Sequence, residues 1–509
     1  MKPPLTLAAA WQARGIAAVS RSFRFHRRRG AFCHRGWCQQ CKTRLPDGRI
    51  VLACQAFADA SGPAAPPTSD ALRPVGALAE HTPPWFWERQ TLGGAWQQAF
   101  VGTLRRLSAA PPLPTPPGAA ARSATVTREC TTLVIGGGPA GSIAATALAH
   151  AGRACLLVQA GVRGGAASPL HATDPPSPTS EVSAPAAFEL LERHLCVGLY
   201  DAPRRALCVG AEGNVVVRFD ELVVATGAYD RLPTVPGNDT PGVVGVRAFE
   251  RLVAQDAVAA DTRIGIYANV HEAARAIDAA SRVGCALAFV AGPADLPHTE
   301  GLRRPSTRLA RVVGRTRVTG VAFHDGTTAT CDLLVVGFTQ PSYEFQAQNG
   351  CGVALVGDPP IVQPTGSGNT RMLVVGEAAG WTETGPALVA RTGAAVNAWL
   401  GGDDVARDRP REAPAATRAA IDDDAFVCLC EDVRAGDIRR AFAEGYDDVE
   451  LVKRHTGAGT GPCQGKLCHA ALLTCVAAQG GDVRIPTPRP LVRPVTIGQL
   501  AGAGERVGD

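Results

Sequence analysis

Four cysteines near the start of the chain, Cys33, Cys38, Cys41 and Cys54, follow the order C-x4-C-x2-C…C. Thiolates spaced in this way let a loop wrap a [2Fe–2S] cluster while a more distant cysteine closes the cage. Gly36 inside the loop suits a backbone that must bend around sulfide. A second quartet, Cys428, Cys430, Cys463 and Cys468, stands near the other end. In an extended segment residues two apart face the same way, so Cys428 and Cys430 reach one iron together. Cys463 and Cys468 flank the start of an apolar helix predicted over Leu467–Ala478, whose N-terminal amides favour thiolates. A helix over Ala435–Glu444 and a turn over Gly457–Gly461 complete the expected module. The first quartet therefore reads as the ligand set of a [2Fe–2S] cluster, and the second as a metal-ligand set. Zinc is the alternative for both, although its usual pattern repeats a short C-x2–4-C pair. His34 and His469 lie close enough to the quartets to make a mixed His/Cys set a further alternative.

A third constellation is Gly136-Gly137-Gly138-Pro139-Ala140-Gly141, directly after an apolar run and before a helical one. In this G-x-G-x-x-G pattern Gly136 permits the tight turn and Gly138 lets the backbone approach a pyrophosphate. Gly141 lets helix and strand pack closely. The helix N-terminus then faces the negative charge. Val224-Ala225-Thr226-Gly227-Ala228 and Val375-Gly376-Glu377-Ala378-Ala379-Gly380 resemble the second and third motifs of two-domain flavoprotein reductases. That resemblance implies that Glu377 contacts a flavin ribityl chain and that Thr226-Gly227 borders the cofactor. Where the family places a ribose-binding acid this chain has Gln159, which leaves FAD favoured over NAD in the site. The second nucleotide half reads Gly265-Ile266-Tyr267-Ala268-Asn269-Val270, without a G-x-G-x-x-G. Tyr267 and Asn269 would obstruct a pyrophosphate, so NAD(P)H binding there is expected to be weak or absent.

These motifs need elements to hold them. Strand-sized apolar runs occur at 132–135, 154–158, 221–224, 263–267, 285–290, 333–336 and 372–375, alternating with helical segments. The alternation predicts parallel α/β layers. The fold class is α/β. A flavoprotein core of two dinucleotide-binding domains is flanked by an N-terminal, partial β-grasp ferredoxin-like domain and a C-terminal small helical domain that resembles the bacterioferritin-associated-ferredoxin type, which implies [2Fe–2S] there. Pro/Ala-rich breaks at Ser61–Thr68, Pro111–Ala121 and Asp404–Thr417 read as linkers, and Ser168–Ala186 as an excursion from the core. The expected divisions are 1–60, a connector over 61–128, the core over 129–403 with its second half about 258–355, a linker over 404–420, and 421–509. The aromatic segment Trp85–Leu107 is expected to be a packed helix.

The bulk composition excludes several classes. Of 509 residues 46% are hydrophobic and 19% charged, and the net charge is +5. That balance calls for neither nucleic acid nor a membrane surface. No apolar stretch approaches a membrane span of about 18 residues. An Arg-rich start whose first acid is Asp47 has the look of a transit peptide, yet it runs straight into a cysteine motif and reads as folded. Sixteen cysteines, half of them grouped, belong to metal ligation in a large cytoplasmic chain rather than to a secreted disulfide scaffold.

The order of parts resembles the alpha subunit of heteromeric amino-acid and imino-acid dehydrogenases, the group of D-hydroxyproline dehydrogenase, opine oxidase and hydrogen cyanide synthase. It is also similar to the N-terminal half of the sarcosine oxidase alpha subunit. The resemblance is carried by Ser22–Gly30, Gly198–Asp201, Val224–Gly227, Val452–Cys468 and Pro488–Gly502. It implies FAD, two [2Fe–2S] clusters, a partner subunit of the D-amino-acid-oxidase type with its own FAD, and a separate electron acceptor. It implies no folate chemistry, because the folate-binding part of sarcosine oxidase would follow. The expected function is electron transfer from that partner to the acceptor. Two alternatives remain at this level: a self-sufficient NAD(P)H-dependent reductase, and a structural or redox-sensing subunit. No general acid or base can be nominated.

Overall fold

Apolar, β-branched sequence dictates the centre of the chain. The computed structural model describes residues 5–58, 66, 71, 94–107, 110, 111, 113, 123–161, 188–200, 204–210, 213–293, 303–304, 307–366, 368–402, 421–487 and 489–503. In it Thr125–Ile135 and Asn214–Val224 run side by side as the two longest strands of a seven-stranded sheet. Cys155–Val158 and Glu189–Leu191 extend the sheet in parallel on one side, and Arg205–Gly210 and His194–Tyr200 extend it antiparallel on the other. Met372–Val374 joins the far end of Asn214–Val224, also in parallel.

Register explains why three distant motifs meet. Ile135 lies opposite Val224, and Val224 opposite Val374. Each strand therefore ends at the same level, and the turns that follow, at 136, 225 and 375, open at one edge. In α/β sheets ligands bind at this carboxyl edge.

A second sheet follows the order Val243–Gly245, Leu333–Gly337, Arg263–Ala268, Ala286–Ala291, Arg303–Arg304, all parallel. Helix Val270–Arg282 packs on it through Ala273, Ala276, Ala279 and Ala280. A three-stranded antiparallel sheet, Leu309–Gly314, Val318–Phe323 and Thr328–Thr330, flanks it.

The cysteine modules are smaller. The N-terminal one has a helix, Leu7–Ala13, whose first turn is capped by the Thr6 hydroxyl, and two hairpins, Ala18–Arg21 with Arg28–Gly30 and Lys42–Arg44 with Ile50–Leu52. The C-terminal one pairs Phe426–Cys428 with Val433–Arg434 and adds helices Ala435–Ala443, Val449–Thr456 and His469–Ala478. The second of these was not apparent in the polar sequence. Asp448 caps its start and Gly457, at φ 80, ends it.

The predicted linkers and the excursion at 168–186 fall wholly or largely outside the described residues, as do Trp85, Phe86 and Trp87. The connector does contain a helix, Gly94–Leu107. The expectation that its aromatics pack is not met among the described residues: Trp96 is 76% exposed and Phe100 42%. No helix among the described residues is long and apolar enough to cross a membrane.

Candidate functional site: a nucleotide turn between two cysteine quartets

The first glycine turn is built by steric necessity. Gly136 adopts φ 108, and a Cβ there would meet the Ala225 carbonyl oxygen at 2.3 Å; at Gly141 it would meet the Gly136 oxygen at 1.8 Å. Gly138 differs. It precedes helix Pro139–His150 with ordinary extended backbone, offers its amides no side-chain cap, and has nothing within 4 Å of where a Cβ would stand. Open amides at the start of a 12-residue helix form an anion cradle. Gln159 folds back on the turn, its Oε1 accepting from the Gly137 amide at 2.7 Å.

Thr226, Gly227, Gly376 and Glu377 stand beside that turn. The Thr226 hydroxyl hydrogen-bonds Ser342, and a Cβ on Gly227 would stand 3.6 Å from Glu377 Oε2. Gly376 packs so closely on Ala140 that a Cβ would approach it to 2.7 Å. Glu377 is not free. Arg247 makes a close ion pair with it and a 2.7 Å bond to Asp230, and stands 3.6 Å from Glu272. Burial lowers the Arg247 pKa, but the three carboxylates outweigh burial and keep the guanidinium charged. Burial drives the Asp230 carboxyl the other way, upward.

The second nucleotide half has the same strand–turn–helix form with its cradle filled. Asn269 caps helix Val270–Arg282 by accepting from the Glu272 amide at 2.9 Å. The Glu272 carboxylate, 2% exposed, accepts from the Thr339 hydroxyl at 2.7 Å and pairs with Arg275. Tyr267 is buried edge-on against Phe338. An acid and a capping amide stand where a pyrophosphate would need positive potential.

In the first quartet the Cys33 thiol interacts with those of Cys38 and Cys54, and Cys54 with Cys41. Burial pushes the Cys33 thiol up, but hydrogen bonds from Cys38, Cys54 and the backbone amides of Cys38 and Arg35 prevail and hold it well below the ordinary value. In the second quartet Cys428 contacts Cys430 and Cys468, and Cys463 contacts the same two. Hydrogen bonds from Cys428 and Cys463 hold the Cys430 thiol well below its ordinary value, against burial and with help from Arg29. Among the described residues no three His, Cys, Asp or Glu side chains converge as a single metal ion requires. Each quartet is a set of four thiols in mutual contact, a donor set that suits a thiolate-ligated metal group.

Of the two histidines, His469 is engaged outside its quartet. His469 Nδ1 is engaged by the Tyr343 hydroxyl at 2.6 Å, and burial drives the ring down to about 3. Burial likewise takes His34 down to about 4, and its Nδ1 has no partner. Both rings are neutral at ordinary pH.

The three sites are neighbours. Tyr229, two residues past the Thr226-Gly227 turn, packs its ring 5.0 Å from Trp37 of the first cysteine loop, and Lys466 of the second cysteine loop stands 5.8 Å over the same ring. Cys33, Cys38 and Cys463 enter one apolar core with Phe32, Trp37, Phe426 and Leu467. The Arg-rich stretch Ser22–Gly30 forms a clamp on the second quartet. Arg27 bonds Asp432 at 2.6 Å, Arg24 bonds Asp437 at 3.2 Å, and Arg29 donates to the Leu429 and Cys430 carbonyls at 2.9 Å. Sequence reading missed Tyr229, Arg247, Lys466 and Asp432 as site residues, because the contacts that place them there, with Trp37, Glu377, Tyr229 and Arg27, each span more than a hundred positions.

The three regions match three family models: a 2Fe-2S iron-sulfur cluster binding domain over residues 3–60, a pyridine nucleotide-disulphide oxidoreductase over 131–264, and a sarcosine oxidase A3 domain over 422–504. The sarcosine oxidase alpha subunit of Rhizobium meliloti (strain 1021) is 26% identical over 98% of this chain and 56% of that protein. The chain is a homologue of the sarcosine oxidase alpha subunit. An opine oxidase subunit of the same organism is 36% identical over 83 residues, 16% of this chain and 18% of that one. The HcnB subunit of hydrogen cyanide synthase from Pseudomonas aeruginosa is 47% identical over 45 residues, 9% of this chain and 10% of that one. The homologue thus spans about half the length of the sarcosine oxidase protein it matches. In fold it is similar to L-proline dehydrogenase from P. horikoshii, with TM-score 0.58 and 19% identity over 74% of this chain and 80% of that one. The expected architecture is borne out: a ferredoxin-like [2Fe–2S] domain, a FAD-type oxidoreductase core and a helical sarcosine-oxidase-alpha domain. The matched domains are those of an oxidoreductase of the FAD and [2Fe–2S] kind.

Proposed function

We propose that this chain is the electron-transfer subunit of a heteromeric amine or amino-acid dehydrogenase, taking electrons from a partner flavoprotein of the D-amino-acid-oxidase type and passing them to a separate acceptor. The observation that carries the reading is Tyr229, two residues beyond the flavin-type turn and in contact with both cysteine loops. A flavin accepts electrons in pairs and releases them singly, and [2Fe–2S] groups carry them one at a time.

Gly136, Gly138 and Gly141 would cradle the pyrophosphate of FAD, with Gln159 shaping the turn and Thr226, Gly227, Gly376 and Glu377 bordering the rest of the cofactor. Arg247 fixes the orientation of Glu377 there. Cys33, Cys38, Cys41 and Cys54 would hold one [2Fe–2S] cluster, and Cys428, Cys430, Cys463 and Cys468 a second. Trp37, Phe32, Phe426 and Leu467 keep water from the space between them. All sixteen cysteines are free, which suits a reducing cytoplasm. The sealed second nucleotide half argues against NAD(P)H as the electron source.

The test is anaerobic titration of the isolated chain. Dithionite should bleach it, while NADH, NADPH and amino acids should leave it oxidised until a partner subunit is added. Rapid bleaching by NADH or NADPH would make it a self-sufficient reductase, and oxidation of an amino acid by the chain alone would move the substrate site into it.

A further inference from the structure

Gln40 lies between Cys38 and Cys41 of the first quartet, yet its side chain reaches the second. Its Nε2 donates to the Cys38 carbonyl at 3.1 Å and to the Cys430 sulfur at 3.5 Å, 390 positions away in the chain. The residue is 1% exposed, and the Ser20 hydroxyl fixes its backbone by donating to the Gln40 carbonyl at 2.9 Å. The reverse amide orientation would set Oε1 against two acceptors, so the donor assignment follows from the partners.

Stability does not account for a glutamine here. Gln40 Oε1 is buried with no hydrogen-bond partner. Such an orphan costs stability. An apolar side chain of similar length would fill the same space without that cost. What the amide alone supplies is an N–H on a cysteine sulfur of the other quartet. Hydrogen bonds to ligand sulfur withdraw negative charge and raise the reduction potential of an iron–sulfur group.

We propose that Gln40 is a positioning residue that joins the two quartets, and that its hydrogen bond to Cys430 sets the potential of the group at the second quartet from within the loop that holds the first. This rests on the reading that both quartets carry [2Fe–2S]. The N-terminal domain then both docks and tunes the C-terminal one, since Arg29 also grips the Cys430 carbonyl.

The experiment is an EPR-monitored redox titration of the full, cluster-loaded chain and of its Gln40→Leu, Gln40→Met and Gln55→Leu variants. Gln55 supplies the control, because its Nε2 stands 3.9 Å from the Cys54 sulfur of the first quartet and it is exposed. Gln40→Leu and Gln40→Met should keep full iron and shift one of two one-electron couples to lower potential. The expected change in its equilibrium is about threefold to tenfold, at most about 59 mV. Gln55→Leu should leave that couple in place. Full iron with both couples unmoved in the Gln40 variants would overturn the inference and leave the two-cluster reading intact. Loss of iron in both Gln40 variants would also overturn it, since a tuning residue leaves both groups in place. A wild-type chain with a single couple would overturn inference and reading together.

Discussion

The two nucleotide halves share one plan and differ in who occupies the helix N-terminus. In the first, Gly138 leaves the amides of Pro139–His150 uncapped and the space above them open. In the second, Asn269 caps Val270–Arg282, and Glu272 is tied to Thr339, Arg247 and Arg275. In the second half the protein's own side chains thus occupy polar positions that the first half leaves open.

If that contrast is right, substitutions should cost cofactor in the first half and stability in the second. The largest effect is expected from Gly138→Asp. The backbone there tolerates a side chain and Asp is a good N-cap, so thermal stability should hold or rise slightly. The carboxylate would stand where a phosphate must, and the purified protein should lose its flavin absorbance. Retained flavin at full occupancy would remove the first turn from the cofactor site.

Next in size is Glu272→Ala, which strips one partner from Arg247 and leaves the Thr339 hydroxyl unpaired. Breaking a buried ion pair costs about 3–5 kcal/mol, and the low end is expected because Arg247 keeps Asp230 and Glu377. Asn269→Ala should cost about 1 kcal/mol, the usual loss for an N-cap. Neither variant should gain or lose nucleotide, by equilibrium dialysis with NADH. A change in bound NADH in either would show that the second half still works as a site.

The smallest effect concerns acid. Hydrogen bonds and charge from Arg263 take Asp332, at the surface of the second sheet, down to about 2. A carboxyl depressed in the folded state contributes stability above its unfolded value, near 4, and loses it as pH falls toward 2. Asp332→Asn should flatten the stability-versus-pH curve between those values and lower stability at pH 7 by the same amount, which solvent screening holds to less than about 1 kcal/mol.

Local patterns made much of this legible in the sequence. The G-x-G-x-x-G, the strand-sized runs and the cysteine spacings are short-range features, and the carboxyl ends of those strands lie within about a residue of their predicted places, although Thr125–Ile135 and Asn214–Val224 begin seven residues before their apolar runs. Tyr267 and Asn269 already showed the second half as obstructed, although the role of Asn269 as a cap was not visible. What stayed hidden was every contact made by the fold rather than the chain. Arg27 finds Asp432 across 405 positions, Gln40 finds Cys430 across 390, and Arg247 finds Glu377 across 130. No periodicity or spacing encodes such pairs. Helix Val449–Thr456 escaped for a different reason: at eight residues its identity rests on the Asp448 cap and the Gly457 stop more than on any apolar stripe.

The most direct test of the account is anaerobic purification of the chain followed by flavin, iron and acid-labile sulfide analysis. The account predicts about one flavin with about four iron and four sulfide, the content of two [2Fe–2S] groups. Zinc in place of iron, or a chain that holds no flavin under gentle conditions, would contradict the electron relay and leave the quartets as structural supports.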